Sequence, residues 1–193
     1  MISCKINNIK VSCTLSGPNI FEVLKKISST QNSVTKQRSN FFVLRCKFVY
    51  IIFYTGHVNI TGARDFDQVE TAKCELIRII SNSLISINKT VIDNICLSGS
   101  LNTSFDLITF ADYLRSIDRD FCFNPRRFPG LSVTSIERES GTFLIFASGK
   151  FVLVGVKNES EIKQSKIWLT NTISEYQRDL RSLQTRETFS SCG

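Results

Sequence analysis

The chain has 193 residues, of which 42% are hydrophobic and 21% are charged, as is usual for a soluble globular protein. Its 24 Lys and Arg exceed its 17 Asp and Glu, and the net charge of +7 either favours a polyanionic partner or serves solubility alone. No apolar run approaches the ~20 residues that span a bilayer, and the start from Met1 to Lys5 lacks a signal-peptide pattern, so we expect an intracellular protein without membrane contact.

The first part of the chain predicts a strand, a helix, three strands and a second helix. The opening strand covers about 5–13, and the helix runs from Asn19, its expected N-cap, to Ser29. Gly56 suits a tight hairpin turn, and Asp65 opens the second helix. The intervening strands are Phe41 to Lys47, Val49 to Tyr54 and Val58 to Thr61, and the closing helix has an apolar stripe of Val69, Ala72, Leu76, Ile79 and Ile80.

The later part predicts the same order of elements. A strand at about 91–99 precedes a helix from Phe105 to Ile117, with Ser104 as the expected N-cap. Gly149 suits a second hairpin turn, and Asn158 opens the last helix. The strands are Leu131 to Ile136, Thr142 to Ala147 and Phe151 to Val154, and the weaker apolar stripe is Ile162, the stem of Lys166, Leu169 and Ile173.

Two sequence blocks are repeated in the same order. Residues 51–64 match 144–157 at an offset of 93, and 6–12 match 92–98 at an offset of 86. We infer a tandem duplication, with one repeat over 1–86 and another over 87–193 that together form a single pseudo-symmetric domain. Grouped strands with helices on one side predict an α+β fold, in which the uncovered face of an antiparallel sheet is the candidate working surface.

The residues offer no catalytic or metal-binding constellation. Seven scattered cysteines and the single histidine, His57, lack the short spacings of a zinc site. Reduced cysteines that mostly fill the core are the simpler interpretation. Asp118, Arg119 and Asp120 are a solvated helix end or loop. We therefore expect no enzyme, no metal and no cofactor.

Several motifs resemble TATA-binding proteins. Those of the second repeat are Ile92-Asp93-Asn94-Ile95, Arg127-Phe128-Pro129-Gly130-Leu131 and Leu144-Ile145-Phe146-Ala147-Ser148-Gly149-Lys150; those of the first are Asn8, Ile52-Phe53 and Ile60-Thr61-Gly62-Ala63-Arg64. The likeness covers residues 5 to about 175. It implies a ten-stranded saddle, a curved sheet with helices on its convex face, whose concave side binds an opened minor groove in A·T-rich promoter DNA.

The resemblance also implies a role for individual residues. The kinking phenylalanines fall on Phe53, Phe128 and Phe146; alignment places the fourth at Ser39, but Phe41 shares its face and is our choice. Phe42 and Phe48 we interpret as core. The central asparagines fall on Asn8 and Asn94, and the remaining groove and phosphate positions on Lys10, Arg45, Ile51, Asn59, Thr61, Cys96, Thr134, Leu144, Val152 and Val154. Of these, Thr134 and Val154 have lost the family's arginine and threonine. Lys10 and Cys96 stand where the family has valine; Lys10 could reach a phosphate or a base edge, but it would disturb the apolar groove surface.

The expected partners also follow from the resemblance. They are double-stranded promoter DNA, a transcription factor IIB-like protein, other initiation factors and the RNA polymerase machinery, in the nucleus or at a site of viral transcription. The second stirrup carries Asn124, Pro125, Arg126 and Arg127 where the family has glutamates, which favours phosphate contacts or an acidic partner. An apolar concave face predicts a homodimer without DNA. The alternative function is a protein-interaction module that binds DNA weakly or unselectively.

Overall fold

The computed structural model describes residues 2–31, 33–81, 84–136 and 140–190. The order strand, helix, four strands and helix occurs twice. It first comprises β1 (Ser3–Ser16), α1 (Ile20–Thr30), β2 (Val34–Gln37), β3 (Phe41–Arg45), β4 (Val49–Phe53), β5 (His57–Ala63) and α2 (Phe66–Ile80). It then comprises β6 (Ser86–Ser100), α3 (Leu107–Ser116), β7 (Phe121–Cys122), β8 (Gly130–Ile136), β9 (Ser140–Phe146), β10 (Lys150–Val156) and α4 (Glu159–Ser190).

The strands are hydrogen-bonded in the order β2-β3-β4-β5-β1-β6-β10-β9-β8-β7. Strand pairing is antiparallel in β1–β5, β2–β3, β3–β4, β4–β5, β7–β8, β8–β9 and β9–β10. The chain divides into two compact units: the first unit is Ile6–Cys96, and the second unit combines the residues before Ile6 with those after Cys96. The two long strands, β1 and β6, each contribute residues to both units.

The core of the first unit lies between its strands and helices α1 and α2. Alternation along β3 and β4 buries Phe42, Tyr50 and Ile52 completely, because successive side chains of a strand point to opposite faces. The Tyr50 hydroxyl donates to the Ala72 carbonyl over 3.0 Å and to the Glu75 carboxylate over 2.6 Å. Burial, and then the Glu75 hydrogen bond, raise the pKa of Tyr50. These bonds fix α2 against the sheet.

The core of the second unit is built in the same way. Phe143 and Phe151 are buried, and the Phe143 ring stacks on Trp168 of α4 with centroids 5.9 Å apart. Ser135 and Ser165 are buried together, with hydroxyl oxygens 3.2 Å apart, so that α4 approaches β8 closely. No helix in the described part of the chain has both the length and the apolarity needed to cross a membrane. The α+β class with an antiparallel sheet is therefore confirmed.

The helix starts correct one of the sequence expectations. Ser104 is not the N-cap of α3; Asp106 is, and its side chain accepts from the N–H groups of Ile108 and Thr109. Asn19 precedes α1 with φ of 53° and makes no side-chain cap bond. Asp65 caps α2 as expected by accepting from the Gln68 N–H over 2.7 Å.

The two hairpin turns have the predicted backbone conformation, whereas the cysteines do not have the predicted burial. Gly56 and Gly149 have φ of +91° and +75°, as the hairpin turns require. Strands β2 and β7 were not predicted. Among the described cysteines only Cys13 is buried, whereas Cys46, Cys74 and Cys122 are exposed. The expectation that the cysteines are mostly core filler is wrong, because half-covered strands and helix surfaces also carry them.

Candidate nucleic-acid interface

The uncovered face of the first unit is the sheet face opposite α1 and α2. Its side chains come from β3, β4 and β5; they alternate with the buried ones in β4 and β5, whereas in β3 Val43 is buried as well. They form three rows across the sheet. In the first row Phe41 lies opposite Phe53; in the second Val43 lies opposite Ile51, which lies opposite Asn59; in the third Arg45 lies opposite Val49, which lies opposite Thr61. Phe41, Ile51, Phe53, Asn59 and Thr61 are half-buried, and Arg45 is exposed. The face is therefore largely apolar, with a cation at its edge.

The uncovered face of the second unit has the same rows. Gly130 lies opposite Phe146; Ser132 lies opposite Leu144, which lies opposite Val152; and Thr134 lies opposite Thr142, which lies opposite Val154. Leu144, Phe146, Val152 and Val154 are half-buried, and Phe128, at 42% exposure, is open to solvent. The groove residues that the family resemblance implies for β9 and β10 thus share one face of the sheet.

Two phenylalanine pairs have similar geometry despite different sequence positions. The Phe41 and Phe53 rings are 5.6 Å apart and inclined by 46°, and those of Phe128 and Phe146 are 5.8 Å apart and inclined by 62°. In the second unit the Phe128 ring lies over Gly130: a Cβ at Gly130 would be 2.7 Å from the Phe128 Cε1. Phe41 is the register equivalent of Gly130, since each faces the second phenylalanine of its pair. Phe41, and not Ser39, therefore provides the partner ring in the first unit.

Thr142, which was not predicted as a site residue, supplies a hydroxyl opposite Val154, the position at which the family's threonine is missing. Thr61 on β5 lies opposite Val49 on β4. In the second unit the order is exchanged, so that Val154 on β10 lies opposite Thr142 on β9. A hydroxyl is thus retained in this row, displaced by one strand. Only strand register reveals it, because comparison at a constant offset places Thr142 at the position of a valine.

The two asparagines are half-buried on the long strands. The Asn8 Oδ1 accepts a hydrogen bond of 2.7 Å from the N–H of Gly62, where φ is +108°. This bond fixes the orientation of the amide and uses only its oxygen atom. Asn94 has the corresponding place on β6. Register shifts on β1 between Ile9 and Val11, next to Asn8.

Lys10 makes a contact that the sequence did not predict. Its Nζ lies 3.2 Å from the Asp93 Oδ2, and the Ser12 hydroxyl donates to the Asp93 Oδ1 over 2.9 Å. Lys10 thus has a partner within the protein, and its contact with a phosphate or a base edge stays a prediction. Cys96 is half-buried, and burial raises the pKa of its thiol, so it stays neutral at physiological pH.

Basic and polar side chains surround the apolar rows. The stirrup from Asn124 to Arg127 is a turn in which the Asn124 carbonyl accepts from the N–H groups of Arg127 and Phe128, at 2.9 and 3.0 Å. All four stirrup residues, including Pro125 and Arg126, are exposed. An open groove of about 820 Å³ in the second unit runs from Phe146 and Val152 to Lys5 and Lys150. Its lining can accommodate a polyanion beside apolar groups.

Comparison with known proteins identifies the family. The family model described as "Transcription factor TFIID (or TATA-binding protein, TBP)" matches residues 89–176. The TATA-box-binding protein of Methanocaldococcus jannaschii is 29% identical over 90% of this chain and 94% of its own length. The protein of that name from Thermoplasma volcanium is 34% identical over 63% of this chain and 66% of its own length.

A solved structure shows the same fold. The structure described as "Methanococcus jannaschii TBP" superposes on this chain with a TM-score of 0.73 and 24% identity. The superposition covers 90% of this chain and 99% of the solved one. It therefore includes both repeats, whereas the family model covers only the second. The chain belongs to the TATA-binding protein family.

Proposed function

We propose that this protein is a general transcription initiation factor that binds and bends A·T-rich promoter DNA through the minor groove. In this proposal the uncovered face of each unit contacts part of the promoter sequence. The relatives named TATA-box-binding protein support this role. They also place the chain among DNA-binding transcription factors and not among enzymes.

The paired phenylalanines are the observation that supports this function best. Phe41 with Phe53 and Phe128 with Phe146 place pairs of aromatic rings on faces that are otherwise largely apolar. Apolar wedges of this kind enter between base steps and kink DNA toward the major groove. The minor groove of A·T pairs offers only acceptors, and the Nδ2 group of Asn8 is a matching donor, since the bond to Gly62 uses only the amide oxygen. Arg45 and Lys150, both exposed, are suited to phosphates.

The experiment is a binding and bending measurement on end-labelled duplexes. Fluorescence anisotropy gives the affinity, and energy transfer between the DNA ends gives the bend, for an A·T-rich TATA duplex and a G·C-rich control at the same salt. We expect selective binding with a large approach of the ends. Phe128→Ala and Phe146→Ala should reduce both, whereas Phe21→Ala, which removes an exposed ring from helix α1, should change neither. Bending that survives in the first two variants would contradict the wedge mechanism.

A second function, a protein-interaction module with weak DNA binding, is favoured by two observations. Lys10 is already paired with Asp93, and the stirrup presents Arg126 and Arg127 to solvent. This alternative predicts binding that weakens steeply with salt and does not distinguish A·T from G·C, because phosphate neutralisation is independent of sequence. Strong discrimination at fixed salt would exclude it.

The arginine stirrup also supports a proposal about the protein partner. Arg126 and Arg127 are suited to an acidic surface on a transcription factor IIB-like protein or on another initiation factor linked to RNA polymerase. Exchanging both arginines for glutamate should weaken the protein complex on DNA without preventing TATA binding. A nuclear location, or a site of viral transcription, remains a prediction, since the relatives named above are archaeal.

Self-association is the remaining partner proposal. The uncovered faces expose part of Phe53, Phe128, Phe146, Ile51 and Leu144, and contiguous apolar surface favours association in water. We therefore propose a homodimer that DNA displaces. Sedimentation equilibrium should show a dimer that dissociates when TATA duplex is added, and a concentration-independent monomer would contradict this.

A further inference from the structure

The second row of the uncovered face differs in polarity between the two units. In the first unit Asn59 on β5 lies opposite Ile51 on β4. In the second unit Val152 on β10 lies opposite Leu144 on β9. Asn59 and Val152 occupy equivalent register positions and are both half-buried. An amide in one unit thus replaces an isopropyl group in the other.

Neighbouring residues supply hydroxyls in both units, and in the second unit Ser98 lines the same groove as Val152. In the adjacent row each unit has a hydroxyl, from Thr61 in the first unit and from Thr142 in the second. Ser132 is in the same row as Val152, but Leu144 lies between them. In the first unit Ser12 lies beside Asn59 in register, yet its hydroxyl already donates to Asp93 over 2.9 Å. The Asn59 amide is therefore the polar group available to a ligand in this row.

Minor-groove chemistry gives this difference a consequence. A·T and T·A pairs present only acceptors, whereas a G·C pair adds the guanine N2 amino donor. An asparagine side chain can accept from that amino group through Oδ1 or donate to an adenine or thymine acceptor through Nδ2. A valine at the same place can do neither, and it would bury the amino group without a hydrogen-bond partner, which is unfavourable.

We infer that Asn59 makes the first unit tolerant of a G·C pair that the second unit, with Val152, rejects. The protein thus recognises an asymmetric site: A·T pairs are required beneath Val152, and either kind of pair is accepted beneath Asn59. This inference rests on the proposed DNA-binding function. Asn59 is thus a specificity-determining residue among the mostly apolar groove positions that the family resemblance implies.

The inference predicts how G·C substitutions combine. A duplex that is otherwise palindromic can be bound in either orientation, because the two units present similar rows. One G·C pair, placed at the contacted position of either half-site, should therefore change affinity by less than about threefold, since the protein turns to place that pair beneath Asn59. G·C pairs in both half-sites should weaken binding by about tenfold or more. Moving the substitution one base pair at a time locates the contacted position.

Two variants test the assignment to Asn59. Asn59→Val should make each singly substituted duplex bind about tenfold more weakly than the A·T parent duplex measured with the same variant. Val152→Asn should allow the doubly substituted duplex to bind nearly as well as the parent. Asn171→Val, which makes the same change on the exposed surface of α4, is the matched control and should behave like the unaltered protein.

The possible outcomes separate the two hypotheses. If the A·T parent is not bound selectively, the proposed function fails and this inference fails with it. If the parent is bound and bent but Asn59→Val discriminates no better than the unaltered protein, the proposed function stands and the role of Asn59 is overturned. A smaller penalty for the doubly substituted duplex with Val152→Asn, combined with a larger single-substitution penalty with Asn59→Val, would establish the inference.

Discussion

The Lys10 ammonium lies 3.2 Å from the Asp93 carboxylate, which also accepts from the Ser12 hydroxyl. Asp93 therefore places a negative charge on one of the long strands that carry the candidate groove residues and neutralises Lys10. It also occupies a cation that would otherwise attract phosphate. If Lys10 contacts a phosphate in the complex, bound DNA competes with Asp93 for Lys10, and we expect the ion pair to oppose DNA binding.

The first prediction is that Asp93→Asn strengthens DNA binding. Removing the carboxylate releases Lys10, and we expect affinity for a TATA duplex at low salt to rise by about three- to tenfold. The slope of log affinity against log salt should become steeper by about one released counterion. Anisotropy titrations over a range of salt concentrations measure both quantities. Asp112→Asn, the same charge change in an exposed ion pair on α3, is the control. Weaker binding by Asp93→Asn would show that the pair instead supports the groove surface.

The second prediction concerns the choice between Phe41 and Ser39. Phe41→Ala removes the ring that packs 5.6 Å from Phe53. It should reduce affinity by roughly ten- to a hundredfold, as expected for an apolar contact of this size, and should lower the energy transfer between DNA ends. Ser39→Ala, outside the strand and exposed, should change neither. The alignment-based position would be restored if Ser39→Ala reduced bending and Phe41→Ala did not.

The third prediction concerns the start of α3. Asp106→Ala removes two hydrogen bonds to backbone N–H groups at the helix start and should lower the free energy of unfolding by about 1 kcal/mol. Ser104→Ala should leave it unchanged, because the Ser104 side chain is not the cap. Urea unfolding followed by circular dichroism compares the two variants. Equal destabilisation would mean that both positions stabilise the helix.

Local sequence patterns predicted most of the fold because they record short-range constraints. Alternation of apolar residues identified β4, β5, β9 and β10, and the glycines at Gly56 and Gly149 marked turns that require positive φ. Strand β7 was missed because a two-residue strand has no periodicity. The cap of α3 was misplaced because Ser104 and Asp106 are both good capping residues, and only the backbone conformation decides between them.

The candidate site was less predictable, because it depends on register and on contacts between distant residues. The contact of Ser12 with Asp93 joins residues 81 apart in sequence, and no local pattern signals it. Thr142 was missed because its role follows from lying opposite Val154. Phe41 was chosen from strand alternation, whereas the ring of Phe128 reaches its partner from outside a strand, over Gly130. Alignment by offset therefore misleads where two side chains fill one space from different backbone positions.

The fourth prediction is a loss of stability at alkaline pH that depends on Cys13. Burial raises the pKa of the Cys13 thiol from 9.0 to about 11, and Lys73 offsets part of that effect. The folded protein retains the proton while the unfolded chain releases it. The resulting stabilisation is complete below pH 9.0 and is lost as pH rises to about 11. A shift of this size corresponds to roughly 3 kcal/mol.

Cys13→Ala should therefore show a flatter decline in unfolding free energy between pH 9.0 and about 11 than the unaltered protein. Cys122→Ala, which removes an exposed thiol, should reproduce the decline of the unaltered protein. Urea unfolding in a reducing buffer at several pH values across this interval gives the three curves. Because Tyr50 also has a raised pKa and contributes equally to all three proteins, only the difference between curves reports on Cys13. Parallel curves for Cys13→Ala and the unaltered protein would show that the thiol does not couple folding to pH.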